Sequence, residues 1–256
     1  MFIQVIQGRV KDAEGLRAHW DRRIHQLRRR LEVVPDAGPI EVPISVGWLG
    51  TTAGISDEGE FVAVVRFESE ALAREDDRRP EQREWRAETG RYFEGPVAVR
   101  DSSQVDLLLD GGSDDAGFVQ VIQAIAGDVE RARTLNSQAE AWLKEHRPEV
   151  IGGTVAWHGD GGFTETVYFT TEDAAREGES KALPADARVQ LEEWLSLVEG
   201  IRIDRPTRSL AVGPRRGPAV GSVAGPEHAA GLLLMGHPST SGSLWRRTGT
   251  AGRQDS

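Results

Sequence analysis

Cysteine is absent from the 256-residue chain. That removes disulfides, thiolate nucleophiles and cysteine-held zinc or iron–sulfur centres together. Long apolar runs are missing as well. The longest nearly apolar stretch, 229–236, is far below the roughly 18 residues that span a bilayer, so no membrane partner is expected. No basic segment followed by an apolar core opens the chain, so a secretory leader is not expected and a cytoplasmic location is. An excess of positive charge is lacking too. The 31 Lys and Arg stand against 41 Asp and Glu, a formal charge of −10, which argues against general nucleic-acid binding. G-x-S-x-G, the phosphate-cradling G-x-x-x-x-G-K-[ST], the dinucleotide G-x-G-x-x-G and H-E-x-x-H do not occur, leaving hydrolase, nucleotide and zincin readings without a motif. What is present, 38% apolar and 28% charged residues, is an ordinary soluble composition. The length allows one large domain or two of roughly 100 residues.

The charge is unevenly spread. Arg205, Arg208, Arg215, Arg216, Arg246, Arg247 and Arg253 face only Glu227 and Asp255, so residues 205–256 carry +5 and residues 1–204 carry −15. Glycine and proline punctuate this last segment without a period of 2 or 3.6. Such a segment buries too little apolar surface to offset the entropy of ordering it, and 207–256 reads as a disordered tail. Its Gly-Leu-Leu-Leu-Met patch at 231–235 and Leu244–Trp245 are the alternative, a docking segment.

The remainder repeats itself. Phe2-Ile-Gln-Val-Ile-Gln7 returns as Phe118-Val-Gln-Val-Ile-Gln123, an offset of 116. Ser45-Val-Gly-Trp48-Leu-Gly50 is echoed by Thr154-Val-Ala-Trp157-His-Gly159, and Val65-Arg-Phe67-Glu-Ser-Glu-Ala by Val167-Tyr-Phe169-Thr-Thr-Glu-Asp. Glu84-Trp85 answers Glu193-Trp194. Four blocks in the same order indicate a tandem duplication.

Each copy has the same order of elements. A β-rich run (2–7, 118–125) precedes a helix striped by Leu16, Trp20, Leu27 and Leu31, or by Val129, Ala132, Leu135, Ala139, Trp142 and Leu143. Asp12 and Asp128 are placed to cap these helices. Strands are expected near 44–49 and 61–67, then 154–158 and 163–169, with turns between them. A second helical region follows near 81–93 and 185–198, and closing strands at 97–100 and 201–204 complete β-α-β-β-α-β, a ferredoxin-like unit. One such sheet leaves an apolar face bare, and two can cover each other face to face or as a barrel. The fold class is therefore α+β. The expected division is repeat 1 at 1–104, a connector at 105–117 with an added edge strand near 105–109, repeat 2 at 118–206, and the tail.

The opening strand and the Phe67-Glu-Ser-Glu-Ala and Phe169-Thr-Thr-Glu-Asp turns resemble the dimeric α+β barrel superfamily, within it the antibiotic-biosynthesis-monooxygenase-like domains. The resemblance covers roughly 1–104 and 118–206. It implies two ferredoxin-like units meeting as an internal pseudo-dimer, alone or in a higher homo-oligomer. It also implies cofactor-free oxygenation of an aromatic substrate or haem degradation, using an Asn on the first strand, a Trp ending the third strand and, for haem, a His on the next helix. Here those places hold Gln4 or Gln7 and Gln120 or Gln123, then Phe67 and Phe169, and no His lies between Phe67 and Trp85 or between Phe169 and Trp194. Family-type axial iron ligation therefore has no donor, and no cofactor is expected.

Candidate chemistry rests on few residues. Strand alternation sends one Gln of each copy, Gln4 and Gln120, between the sheets, for a structural hydrogen bond or a ligand contact. Glu165 shares a strand face with Phe163, Val167 and Phe169. If that face is the barrel interior, its carboxylate is desolvated and its raised pKa would suit a general base, against the plainer reading of an edge or rim carboxylate contacting water or an arginine. Copy one has Ala63 at that place. His158 is the best-placed histidine for proton transfer near neutrality; paired with Asp160 it has too few companions for a metal site. Trp48 and Trp157 are core anchors or walls of a flat apolar cavity. Arg74 and Arg176 are solvated helix residues or guards of a cavity mouth, and His19 and His25 are expected to face solvent. Two functions follow. One is an enzyme, oxygenase-like or isomerase-like and free of metal or flavin, in which Glu165 and His158 are catalytic and Gln4, Gln120, Trp48 and Trp157 bind a hydrophobic or aromatic small molecule. The other is a non-catalytic ligand-binding or scaffold protein with a filled cavity. Fold does not decide between them; a pocket of roughly 300 Å³ lined by an interior Gln and an ionisable group would favour the first.

Overall fold

The computed structural model describes residues 1–32, 47–109, 111–113, 115–204 and 210–212. Each copy opens on a strand, β1 (Phe2–Arg9) or β6 (Phe118–Ala126), followed by a long helix, α1 (Ala13–Glu32) or α4 (Val129–His146). Both helices start where the chain provides an acceptor for their first free amides. Asp12 Oδ1 accepts from Gly15 N at 2.9 Å, and Asp128 Oδ1 from Arg131 N at 2.9 Å. An antiparallel pair comes next, β2 (Trp48–Ile55) with β3 (Glu60–Phe67), or β7 (Val150–Trp157) with β8 (Gly162–Phe169).

The second helical region is two helices in each copy, α2 (Glu70–Arg78) with α3 (Pro80–Gly90), and α5 (Glu172–Ser180) with α6 (Ala185–Leu197). Ser69 and Thr171 cap the first of each pair. Pro80 opens α3 and Pro184 caps α6, since proline is tolerated where no amide donor is required. The closing strands are β4 (Ala98–Ser102) and β9 (Val198–Asp204).

The sheets are β10-β2-β3-β1-β4 and β5-β7-β8-β6-β9. Each is completed by a strand from the far side of the duplication. After β4 the chain turns at Ser103 and adds β5 (Gln104–Leu108) to the edge of β7 in the second sheet. After β9 it adds β10 (Leu210–Val212) to the edge of β2 in the first. Leu210–Val212 thus correct the expectation of an unstructured tail for those three residues; the rest of 213–256, with its Leu-rich patch, lies outside the described residues. Ser102 fastens the corner, its hydroxyl lying 2.6 Å from the carbonyl oxygen of Trp157 and 2.9 Å from that of Gln104.

Ile3, Val5, Val62 and Val64 of the first sheet pack on Val121 and Ala156 of the second, the internal pseudo-dimer of an α+β barrel. Equivalent residues touch each other along the pseudo-twofold axis. Gln7 Nε2 donates to Gln123 Oε1 at 2.7 Å, and the Arg66 guanidinium lies 5.6 Å from the ring centre of Tyr168. Thr52 Oγ1 and Tyr168 Oη share a 2.8 Å hydrogen bond from sheet to sheet. The helices cover the outer faces, α1 against Phe61 and Phe93, and α4 and α6 against Phe163.

One block of the duplication sits in a different register from the sequence echo of Trp48 by Trp157. Trp48 pairs with Phe67 and Val150 with Phe169, and each strand has a bulge two residues on, at Gly50 or Gly152. The partner of Trp48 is therefore Val150, and the partner of Trp157 is Ile55. The observed β2 begins where the expected strand at 44–49 was to end, because the bulge glycine, and not the tryptophan, marks the shared position. A Cβ at Gly152 would meet the carbonyl oxygen of Gly111 at 1.9 Å, so that close approach requires glycine.

Candidate functional site

Strand alternation puts each candidate on one of two faces, and the packing decides which is which. Gln4 and Gln120 turn outward, under the helices, and not between the sheets. Gln4 Nε2 reaches Asp77 at 3.4 Å on α2, beside the Asp77–Arg86 ion pair, and Gln120 Nε2 reaches Glu179 at 2.5 Å on α5. The glutamines between the sheets are Gln7 and Gln123. The inversion arises because period 2 separates the faces without saying which one a helix will cover. Arg74 and Arg176 do not guard an opening. They lie over Phe2 and Phe118 at 5.3 and 5.6 Å and pair with Asp101 and Glu70, and with Glu172 and Glu179.

Glu165 lies under α4 and α6, with Ile122 and Val155 as cross-strand neighbours. It is 1% exposed, and neither carboxylate oxygen has a hydrogen-bond partner. Burial alone pushes its pKa up to about 8, because the charged form has nothing in the core to replace its hydration. Glu165 is therefore a protonated acid at neutral pH.

His158 occupies a different place. It is half-buried where β7 ends, with Nε2 3.1 Å from Thr164 Oγ1. Thr164 also accepts from Gln123 Nε2 at 3.1 Å, which joins His158 to the axis through Gln123 and Gln7. Burial first, and the Arg100 charge second, hold its pKa below the ordinary histidine value, with Asp160 opposing them. Thr164 and Glu165 are adjacent on β8 and point to opposite faces. Glu165 and His158 are thus separated by the second sheet, and no single molecule lying against one face touches both.

The tryptophans also part company. Trp48 packs with Phe2, Phe67 and Ala73, its Nε1 3.0 Å from Thr51 Oγ1. Trp157 stands in the second repeat's core, 5.0 Å from Phe163 between ring centres, and its Nε1 donates to Asp106 Oδ2 at 2.6 Å. Asp106, on β5 and 2% exposed, also holds Arg133, whose Nε lies 2.9 Å from Oδ2.

Repeat 1 differs at this same place. Ile55 replaces Trp157, and a half-open cleft of about 30 Å³ remains between α1 and the β2–β3 pair, lined by Leu16, Arg17, Trp20, Ala53, Ile55 and Phe61. Local sequence marks Trp20 only as part of a helix stripe and does not mark Arg17 at all. Their signal was the exchange of Trp157 for Ile55 at one register position. Trp20 lies 5.8 Å from Phe61 and 4.9 Å edge-on to Trp85, and its indole N–H has no acceptor. Behind it, His19 is 7% exposed, a correction to the expected solvent position. It is stacked on Trp85 at 5.7 Å and hydrogen-bonded to Thr89 Oγ1 at 2.9 Å. Burial, then Arg22, lowers its pKa, and Thr89, which donates to the Trp85 carbonyl, accepts the imidazole proton. The side chain of His25 lies outside the described residues.

No family model and no curated protein matches the chain. Solved structures do. A provisionally assigned monooxygenase from Lactobacillus acidophilus NCFM aligns with a TM-score of 0.60 at 12% identity, over 83% of this chain and 96% of that one. Another, from Fusobacterium nucleatum subsp. nucleatum, aligns at 0.61 and 11%, over 83% and 94%. An anthrone oxidase-like protein aligns at 0.54 and 9%, over 86% and 97%. Each match extends over both repeats. At such identities the likeness establishes the fold alone: the chain has a paired ferredoxin-like α+β architecture.

Proposed function

We propose that the protein binds a small, flat, hydrophobic molecule in the repeat 1 cleft and holds it without turning it over. The observation that carries this reading is the difference between equivalent positions. The space that Trp157 fills in repeat 2 is left partly open by Ile55 in repeat 1, beneath an aromatic wall of Trp20 and Phe61. Aromatic walls with one or two polar groups are the usual make-up of a small-molecule site. Trp20 and Phe61 would sandwich a ring, the free Trp20 N–H would donate to an oxygen on it, and Arg17 would face a polar or anionic substituent at the mouth. At about 30 Å³ the resting cleft has room for one water-sized molecule, so a ring enters only as the half-buried Trp20 indole swings outward. Binding is favoured over oxygenation because the side chains lining the cleft include no carboxylate or imidazole suited to proton abstraction. Glu165 and His158, the groups suited to proton abstraction, belong to the other repeat and to opposite faces of its sheet.

Titration of the full chain with 1-naphthol and with anthrone, followed by tryptophan fluorescence and calorimetry, tests this reading. Saturable binding of either, weakened at least tenfold by Trp20→Ala, is the expected result. Binding unaffected by Trp20→Ala overturns the placement. Oxygen consumption with anthrone above the buffer rate, abolished by Glu165→Gln, replaces the binding reading with the oxygenase one.

A further inference from the structure

Several buried polar side chains of repeat 2 have no hydrogen-bond partner, and three fully buried ones lie under its helices. Glu165 on β8 has two unpartnered oxygens at 1% exposure. Asn136 on α4 has neither carboxamide atom bonded at 0%, and Trp194 on α6 has a free indole N–H at 0%. They come from three elements and converge on one core. Asn136 shares the sheet-facing stripe of α4 with Ala132, Ala139 and Leu143, and Glu165 lies between Phe163 and Val167, all in the cluster that Trp194 closes. The duplication places the first two together independently. Their counterparts, Ala63 and Trp20, pack in a single cluster with Phe61, beside the repeat 1 cleft. An orphaned buried polar group costs about 1–3 kcal/mol, and native cores contain few of them. Repeat 1 has no carboxyl or carboxamide at these places.

In the same core stands Trp157, packed on Phe163 and latched by Asp106 with Arg133 behind it. In repeat 1 the corresponding positions hold Ile55, Leu210 and Arg17 by strand and helix register, so only the arginine is common to both. The latch is specific to the repeat that contains the unsatisfied carboxyl and carboxamide.

We propose that repeat 2 carries a second binding site, closed in the resting protein by the Trp157–Asp106 latch, for a neutral monocyclic phenol held by Glu165, Asn136 and Trp194. The protonated carboxyl and the indole N–H donate to the phenol oxygen. The carboxamide oxygen accepts its proton, and Phe163 and the neighbouring aliphatic side chains cover the ring. This site stands apart from the repeat 1 cleft: it uses no residue of that cleft and does not depend on its being occupied.

The test uses the full chain carrying Trp20→Ala, so that repeat 1 does not contribute. Trp157→Ile, which installs the repeat 1 residue, opens the latch. Phenol at tenfold over its dissociation constant then raises the melting temperature by about 3–5 °C, while the parent with Trp157 intact shifts by a small fraction of that. Adding Asn136→Leu and Glu165→Leu abolishes the shift. Asp106→Asn keeps the side chain's size and loosens the latch, and is the second variant should Trp157→Ile not fold; its shift is intermediate. No shift in either opened variant overturns the proposal. So does a shift that survives loss of both polar groups, or one that benzene reproduces in full, because then only an apolar hole was made.

Discussion

The two repeats share strands, caps, bulges and an axis, and differ in what they place beneath their long helices. Repeat 1 puts Trp20, Ala63 and Ile55 there; repeat 2 puts Asn136, Glu165 and Trp157 at the same positions. One arrangement is aromatic and leaves a cleft. The other is sealed by a large side chain and encloses polar atoms with no partner. A duplicated fold lets one copy keep an apolar, forgiving interior while the other accumulates groups that destabilise it, and such groups persist where they do something other than stabilise. The comparison therefore says where to measure: at matched positions, one substitution per copy.

Glu165 against Ala63 gives the largest contrast. Burial raises the carboxyl's pKa from its ordinary value near 4.5 to about 8 in the folded chain. The unfolded chain therefore loses its proton first, and stability falls as pH rises from about 4.5 to about 8, then levels off. The difference is roughly 3 kcal/mol at pH 7 and about 5 kcal/mol above pH 8. Glu165→Leu should remove that slope, giving a gain at pH 8 that disappears near pH 4, read by urea unfolding at each pH. Ala63→Glu should import the same slope into repeat 1. Equal pH profiles for wild type and Glu165→Leu would mean the carboxyl reaches solvent.

The second helical regions give the next contrast. Trp194 is fully buried and fills repeat 2, whereas Trp85 is half-buried and stacked on His19. Trp194→Ala should cost about 3–5 kcal/mol, and Trp85→Ala clearly less. Equal losses in denaturant titrations would deny that repeat 2 is the tighter core.

Across the axis the effect is smaller. Gln7→Leu strands Gln123 Oε1 and should cost about 1 kcal/mol. The double variant with Gln123→Leu should cost less than the sum of the two singles, since it removes both ends of the bond. Strict additivity would show that the two glutamines are not paired in solution.

These positions also show what local sequence carries. The duplication and the helix caps at Asp12 and Asp128 were legible, because each depends on neighbours a few residues away or on direct self-similarity, whereas the full burial of Glu165 under helices was not, a rim position being the plainer reading of its strand. The exchange of β5 and β10 between sheets was legible only as an extra strand near 105–109, since its pairing partner is set by tertiary closure. Gln4 and Gln120 were assigned to the wrong side because alternation is symmetric until a helix settles on one face. Trp48 and Trp157 were matched by residue type, although the bulge glycines, which carry the backbone constraint, were the better markers. The repeat 1 cleft and the missing partners of Glu165 and Asn136 were not legible, because an absence of contacts is a property of packing.

His158 against Ser56 is the finest contrast, and it separates the two faces of the second sheet. His158 ends the strand that carries Trp157, and its counterpart in repeat 1 is Ser56. Its pKa is held down by burial and by Arg100, so the folded chain resists the proton that the unfolded chain takes up. Stability contributed by the neutral imidazole is therefore present above about pH 6.5 and declines as pH falls through that value, opposite in direction to the Glu165 effect. His158→Ser should flatten only the part of the stability profile below about pH 6.5, whereas Glu165→Leu should remove the opposite slope that runs from about pH 4.5 to about pH 8. Because the groups lie on opposite faces, the double variant should show both changes at full size. Non-additive profiles in urea titrations between pH 5 and 8 would instead place the two groups in one coupled site, and would return the oxygenase reading to repeat 2.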